Sequence, residues 1–146
     1  MLKIWGRTNS VNVKKVLWAA EELGLAYQRI DAGMEHGVTK TPEYLAMNPN
    51  GRVPLIDYDG FWLWESNTIV RYLAARHGMG ELCPAALEDR ADAERWMDWQ
   101  LACLGGPMGT VFQQLVRTPA GQRDERAIVR GTVAVNEAMQ ILDRHL

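Results

Sequence analysis

The sequence predicts an α/β domain built on a mixed four-stranded sheet, followed by a segment that is entirely helical. The prediction depends on a strand–helix–strand pattern at the start of the chain, on two short strands joined at Asp59-Gly60, and on purely helical periodicity after about residue 87. A chain of 146 residues has room for one ordinary domain, or for a small domain with an appendage.

The first elements predict a parallel strand pair. Residues 2–5 alternate as in a strand, residues 11–23 carry apolar side chains at helical spacing, and residues 26–30 form a second strand. Gly24 stands directly after the helix, where glycine commonly ends one. A strand, a helix and a strand in this order imply a right-handed crossover.

The next elements complete the sheet. A short helix is expected over residues 42–46, with Thr41 as its cap, and a second strand pair should turn at Asp59-Gly60. A third helix is expected over residues 67–77. Of Trp62 and Trp64, one is expected in the core and the other at the surface. The order βαβ followed by αββα is thioredoxin-like.

The helical segment follows a Gly- and Pro-containing boundary. We expect a first domain at residues 1–78, a linker at 79–86, and an incomplete all-α domain of two helices at 87–146. One long helix is predicted from about 87 to 116, with a kink at Gly105-Gly106-Pro107. The last helix, over about 123–146, should bury an apolar stripe: Ile128, Thr132, Val135, Met139, Leu142 and Leu146.

Composition excludes several classes of function. The net charge of −2 predicts neither nucleic-acid nor anionic-membrane binding, and no apolar run approaches the length of a bilayer span. Cys83 and Cys103 match no metal or redox spacing. A cytoplasmic, reduced protein without a metal site is therefore expected.

Two neighbouring segments carry the functional prediction. A cis bond at Val53-Pro54 would force a sharp turn and present the backbone of Val53 to an extended peptide. Glu65-Ser66 stands where a strand gives way to a helix. With Ser66 as the expected cap, the free amides and positive dipole end of that helix suit a carboxylate.

These two motifs, at their spacing, resemble the cytosolic glutathione S-transferase family, and the resemblance runs from Met1 to Leu146. The chain is most similar to the bacterial serine-type members, which are theta- or nu-like. In the family, the positions of Val53-Pro54 clamp the cysteine unit of glutathione and those of Glu65-Ser66 hold its γ-glutamyl end. The resemblance implies a homodimeric detoxification enzyme that joins the glutathione thiolate to an electrophilic carbon of an apolar molecule. Glutathione is then a co-substrate, and no other cofactor is expected.

Such chemistry requires a donor that stabilises the thiolate, because the thiol is a poor nucleophile. The resemblance places Ser10 first, Asn12 second and Thr8 third for this role, all near the start of the first helix. The alternative for Ser10 is that it only caps this helix. No cysteine lies between Arg7 and Lys15, so disulfide exchange by a protein thiol is not expected.

The remaining candidates are charged. Lys40, Arg52 and His36 are candidates for the glycine carboxylate of glutathione, and each is equally consistent with a solvated loop charge. Glu65 is expected to bind the α-amino group of glutathione. Its alternative is an acid favoured at a helix start by the helix dipole.

The chain departs from the family pattern at its end, since such transferases carry several more helices. We expect a natural truncation or a cloned fragment, with its activity left open. The alternative function is a non-catalytic interaction or regulatory module of the same fold, or the same fold acting as an isomerase, dehalogenase or peroxidase. The intact set of Ser10, Val53-Pro54 and Glu65-Ser66 favours the enzyme.

Overall fold

The structure is a computed structural model that describes all residues, Met1–Leu146, and they form two compact units, Met1–Leu87 and Glu88–Leu146. The segment 79–86 groups with the first unit. The domain boundaries at 78 and 87, with a linker between them, stay a prediction. None of the helices combines the length and apolar character needed to cross a membrane.

The first unit contains the predicted sheet and three helices. Its strands are β1 Leu2–Trp5, β2 Tyr27–Ile30, β3 Leu55–Tyr58 and β4 Phe61–Trp64; its helices are α1 Val11–Glu22, α2 Pro42–Met47 and α3 Ser66–His77, with a 3₁₀ turn at Met34–His36. The strand order is β2-β1-β3-β4, with β1 and β2 parallel and the other pairs antiparallel. The mixed four-stranded, thioredoxin-like sheet is therefore confirmed.

The sheet separates two apolar layers because alternate side chains leave a strand on opposite faces. On one face Leu2 and Ile4 pack with Val16 of α1 and with Ile69 and Leu73 of α3. On the other face, Leu55 packs with Tyr44 of α2, and Trp5 covers them. The helices thus lie on both sides of the sheet.

Local signals end the elements as predicted. Gly24 follows α1 with a φ of +62°, and Asp59 and Gly60 both have positive φ in the β3–β4 turn. The amide of Gly60 donates to Oδ1 of Asp57 at 2.7 Å, which closes that turn. Thr41 caps α2, its Oγ1 accepting the amide of Tyr44 at 3.3 Å.

The prediction for the two tryptophans of β4 is wrong. Trp62 is 49% exposed and Trp64 is 37% exposed, while Leu63 between them packs against the core. Residues two apart in a strand share a face, so the two tryptophans belong to the same side of the sheet and neither becomes core.

The second unit is helical, with wider turns between its α-helices. Its α-helices are α4 Leu87–Trp99, α5 Gly105–Phe112 and α6 Glu125–Asp143, with π-helical turns at Gln100–Leu104 and Gln113–Arg117. Leu87, the first residue of α4, belongs to the first unit. The irregularity predicted at Gly105 begins earlier, at Gln100, where the amide of Gly105 bonds to the carbonyl of Gln100 five residues back. Pro107 lacks the amide that would bond to residue 103, and the wider turn precedes it.

The predicted stripe of α6 is confirmed in part: Ile128, Val135 and Leu142 are half-buried, but the two buried positions each lie one residue before a predicted one. Gly131 and Ala138 are buried, whereas Thr132 and Met139 are exposed. A Cβ atom on Gly131 would lie 2.8 Å from Cγ2 of Val111, so the two helices approach closely at this glycine. That close approach sets the rotation of α6, and Leu146, also predicted in the stripe, is exposed.

Candidate functional site

Two adjoining cavities lie in the first unit, where the starts of α1 and α3 meet the loop before β3. The first, of about 130 Å³, is lined by Asn12, Asn48, Asn50, Arg52, Val53, Pro54, Trp64, Glu65 and Ser66. The second, of about 290 Å³, is lined by Arg7, Ser10, Asn12, Gly33, Met34, Thr39, Gly51, Arg52 and Val53. Asn12, Arg52 and Val53 line both. The two predicted motifs and the predicted donor are thus brought to one continuous surface.

The Val53-Pro54 peptide bond is cis, as expected. The loop before it is held through the carbonyl of Arg52, which accepts the hydroxyl of Tyr44 at 2.7 Å and Nδ2 of Asn48 at 2.8 Å. Burial raises the pKa of Tyr44 to about 12, so its hydroxyl remains a proton donor at neutral pH. Neither the amide nor the carbonyl of Val53 makes a backbone hydrogen bond, and both are left for a ligand.

The start of α3 differs from its prediction in one respect. Glu65, not Ser66, occupies the capping position, and its carbonyl accepts the amide of Ile69 at 2.9 Å. The side chain of Glu65 makes no capping bond, and its φ of +74° is unusual for a residue with a Cβ atom. Such a conformation costs about 1–3 kcal/mol and persists only where the surroundings hold it. Glu65 lines the first cavity.

Ser66, as the first residue of α3, faces inward. It is 6% exposed, and its hydroxyl donates a long hydrogen bond of 3.4 Å to Oδ1 of Asn12. Asn12 belongs to the first turn of α1 and is exposed. The contact brings the starts of two helices to one cavity, so both positive dipole ends lie near it.

Ser10 occupies the capping position of α1, but its side chain makes no capping hydrogen bond. Its carbonyl accepts the amide of Lys14 at 2.9 Å, and the residue is 9% exposed at the wall of the second cavity. The hydroxyl of Ser10 is therefore not used to cap α1, which weakens the interpretation of Ser10 as a helix cap only. Thr8 lines neither cavity.

Charges differ between the two cavities. Glu65 and Arg52 line the first cavity, whereas Arg7 and Arg52 line the second, which has no acidic residue in its wall. Nε of Arg7 is buried without a hydrogen-bond partner. An elongated molecule with an ammonium at one end and a carboxylate at the other matches this polarity.

Neither of the other two predicted cations lines a cavity, but Lys40 lies beside Gly51, which lines the second. Lys40 is exposed and lines neither, although a Cβ atom on Gly51 would lie 2.7 Å from its Nζ. Nε2 of His36 lies 3.6 Å from Glu35 and 3.7 Å from Asp31, and His36 also lines neither cavity.

Comparison with known proteins identifies the fold and family. A family model for the N-terminal domain of glutathione S-transferases matches residues 1–75. The chain is 46% identical over 148 aligned positions to glutathione S-transferase GstB of Escherichia coli (strain K12), covering all of this chain and 71% of that protein. The chain belongs to the glutathione S-transferase family. The cavities therefore lie in the N-terminal transferase domain.

Two further comparisons bear on the assignment. The theta class glutathione S-transferase of Xanthomonas axonopodis pv. citri, solved with glutathione bound, superposes with a TM-score of 0.93 at 44% identity, over 99% of this chain and 69% of that one. Elongation factor 1-gamma 3 of Oryza sativa subsp. japonica is 39% identical over 89 residues, which cover 60% of this chain and 21% of that protein. The relatives of this chain thus include a protein whose name is not that of a transferase.

Sequence reasoning missed several residues of the transferase site. The two cavities also contain Arg7, Asn48, Asn50, Met34 and Trp64 in their walls. A local signal existed for Asn48, since an asparagine side chain often accepts the backbone amide two residues on, and here the amide of Asn50 donates to Oδ1 of Asn48 at 3.1 Å. No local signal marked Trp64, because its place depends on how β4 meets α3.

Proposed function

We propose that this chain binds glutathione across the two cavities and conjugates its thiolate to an electrophilic carbon of an apolar small molecule. The observation that carries the proposal is that Val53-Pro54 and Glu65-Ser66 line one cavity, with Ser10 in the adjoining one. Membership of the glutathione S-transferase family supports the reaction class.

The polarity of the cavities orients the tripeptide. The carboxylate of Glu65 binds the α-ammonium of the γ-glutamyl unit, and the start of α3 at Ser66 binds the adjacent α-carboxylate. The unpaired backbone of Val53 forms strand-like bonds with the cysteine unit. Arg52 then faces the glycine carboxylate, and Lys40, beside Gly51, adds a positive charge at that end.

Ser10 is the proposed donor to the sulfur, with Asn12 in support. A free thiol titrates at about 8.5, and each unit of lowering takes about 1.36 kcal/mol of preferential binding to the anion. A hydroxyl at the start of α1 supplies a hydrogen bond and a favourable dipole to the thiolate. The thiolate then attacks the electrophile and displaces its leaving group.

We place the enzyme in the cytoplasm as a homodimer, with a hydrophobic electrophile as second substrate. Relatives of this chain extend beyond its length, since GstB is matched over 71% of that protein.

The test begins with retention on immobilised glutathione. The parent should be retained and eluted by free glutathione, and Ser66→Ala should elute early, because it removes a buried hydroxyl from the first cavity. A parent that passes through unretained would overturn the proposal. Turnover of an aryl halide by the parent and by Ser10→Ala then separates binding from catalysis: Ser10→Ala should bind glutathione and conjugate poorly.

The second candidate is a non-catalytic interaction module of the same fold. The likeness to elongation factor 1-gamma 3, whose name includes no transferase, supports it. A chain that neither retains glutathione nor turns over any tested electrophile, yet folds cooperatively, would support this candidate. The same fold acting as an isomerase, dehalogenase or peroxidase remains an alternative, which assays with the corresponding substrates would detect.

A further inference from the structure

A side-chain hydrogen bond joins the middle of α1 to the start of α3. Nζ of Lys15 donates to Oδ1 of Asn67 at 3.0 Å. Asn67 is 5% exposed and follows Glu65-Ser66 directly, while Lys15 is half-buried. The ammonium of Lys15 thus lies behind the helix start that carries the proposed γ-glutamyl contacts.

The ammonium of Lys15 is partly desolvated. Burial lowers the pKa of Lys15, and the negative charge of Glu65 opposes that shift. The neighbouring Lys14 on the same helix is exposed. Lys15 is thus held beside the ligand site by its bond to the buried amide of Asn67, whereas Lys14 extends into solvent.

Glu65 also needs external support. Its backbone has a φ of +74°, and its side chain makes no capping bond to α3. Its carboxylate orientation is therefore not fixed by its own helix, and a fixed positive charge nearby can select one orientation.

We propose that Lys15 is a positioning residue for glutathione: bonded to Oδ1 of Asn67 and attracted to Glu65, its ammonium holds the Glu65 carboxylate where it receives the α-ammonium of the γ-glutamyl unit. This inference rests on the proposed function and deepens it. It assigns a role to a residue that touches neither cavity.

The test measures glutathione affinity by calorimetry in the parent, in Lys15→Met and in Lys14→Met. Lys15→Met should bind glutathione about tenfold more weakly, which is the size of effect of a hydrogen bond to a charged group. Lys14→Met should bind like the parent. Lys15→Arg should recover most of the affinity, because it restores a cation and a donor, and Lys15→Gln should fall between.

The deciding measurement uses an analogue of glutathione that lacks the α-amino group. The loss caused by Lys15→Met should be confined to glutathione itself, so that the variant no longer prefers glutathione over the analogue as the parent does. Equal losses for both ligands would show a merely structural role and overturn the inference.

Two outcomes separate this inference from the function beneath it. A parent that binds no glutathione defeats both. A parent that binds, with Ser66→Ala impaired and Lys15→Met unimpaired, defeats the role of Lys15 alone.

Discussion

The hydroxyl of Ser66 lies 3.4 Å from Oδ1 of Asn12, although 54 residues separate them in the chain. The contact joins the starts of α3 and α1 and forms part of the wall of the first cavity. One side chain was predicted to bind the γ-glutamyl unit and the other to support the thiolate, so the two functions share a contact.

This contact predicts a coupling between the two residues. Ser66→Ala should weaken glutathione binding at least about tenfold, and Asn12→Ala should weaken it less, because removal of a buried hydrogen-bonding group costs more binding free energy than removal of an exposed one. The double variant should lose less than the sum, by about 0.5–1 kcal/mol, as residues in contact are not additive. Calorimetric titration measures all four proteins, and Thr68→Ala, an exposed position on the same helix, is the control. Strict additivity would contradict the coupling.

Ser10 should affect catalysis far more than stability. Because its side chain makes no capping bond, Ser10→Ala should change the free energy of unfolding by less than about 0.5 kcal/mol. Thr41→Ala is the matched control: that side chain does cap a helix, and its loss should cost about 1 kcal/mol. Urea unfolding measures both, and the pH dependence of conjugation should show a raised thiol pKa only in Ser10→Ala. Equal destabilisation by both variants would mean that Ser10 is a structural cap.

Two substitutions of Glu65 should separate its backbone strain from its role in binding glutathione. Glycine adopts positive φ without strain, so Glu65→Gly should raise the free energy of unfolding by about 1 kcal/mol while glutathione binding is lost. Glu65→Gln keeps the strained backbone and removes the charge, so it should lose binding without gaining stability. Thermal unfolding and calorimetric titration distinguish them. A less stable Glu65→Gly variant would refute stored strain at this position.

Tyr44 should make stability fall at alkaline pH. Its pKa is about 12 in the folded protein, because the phenol is buried, and about 10 when unfolded. The folded state holds the proton more tightly, so the stabilisation is complete below pH 10 and is lost as pH rises through 12. Tyr44→Phe should show a flatter decline over that window, measured as urea midpoints from pH 8 to 12.

At neutral pH Tyr44→Phe should also cost about 1 kcal/mol, since the carbonyl of Arg52 loses one of its two donors. The lowered pKa of Lys15 acts in the opposite direction, because it makes stability rise with pH below 10.5, the ordinary pKa of lysine. This contribution is the same in the parent and in Tyr44→Phe, so it cancels when the two are compared. Identical slopes above pH 10 would exclude Tyr44 as the source of the decline.

Gly131 should be intolerant of any side chain. A Cβ atom there would meet Val111 at 2.8 Å, so Gly131→Ala should destabilise the second unit by about 1–3 kcal/mol despite the better helix propensity of alanine. Gly109, in α5, has open space around the same position, and Gly109→Ala should stabilise by up to about 1 kcal/mol. Chemical unfolding of both variants checks the pair. A stabilised Gly131→Ala variant would mean that the helices separate readily.

Prediction from sequence succeeded where the signal is local. The alternation in residues 2–5, the glycine after α1 and the Asp59-Gly60 turn each act through neighbouring residues, and all were confirmed. The cis bond before Pro54, on which the hypothesis of peptide pairing depended, is present in the structure. Prediction failed for Trp62 and Trp64, for part of the buried face of α6 and for the cap of α3, since packing between elements decides which face is buried.

The sequence by itself determined the order of the elements, the thioredoxin-like sheet and the two motifs, because hydrophobic period and turn chemistry act over a few residues. Only the tertiary structure decided that Ser10 and Glu65-Ser66 meet at adjoining cavities, that Lys40 and His36 stand outside them, and that Lys15 reaches Asn67. Residues separated by about fifty positions come together only through packing of helices on a sheet, which no local pattern encodes.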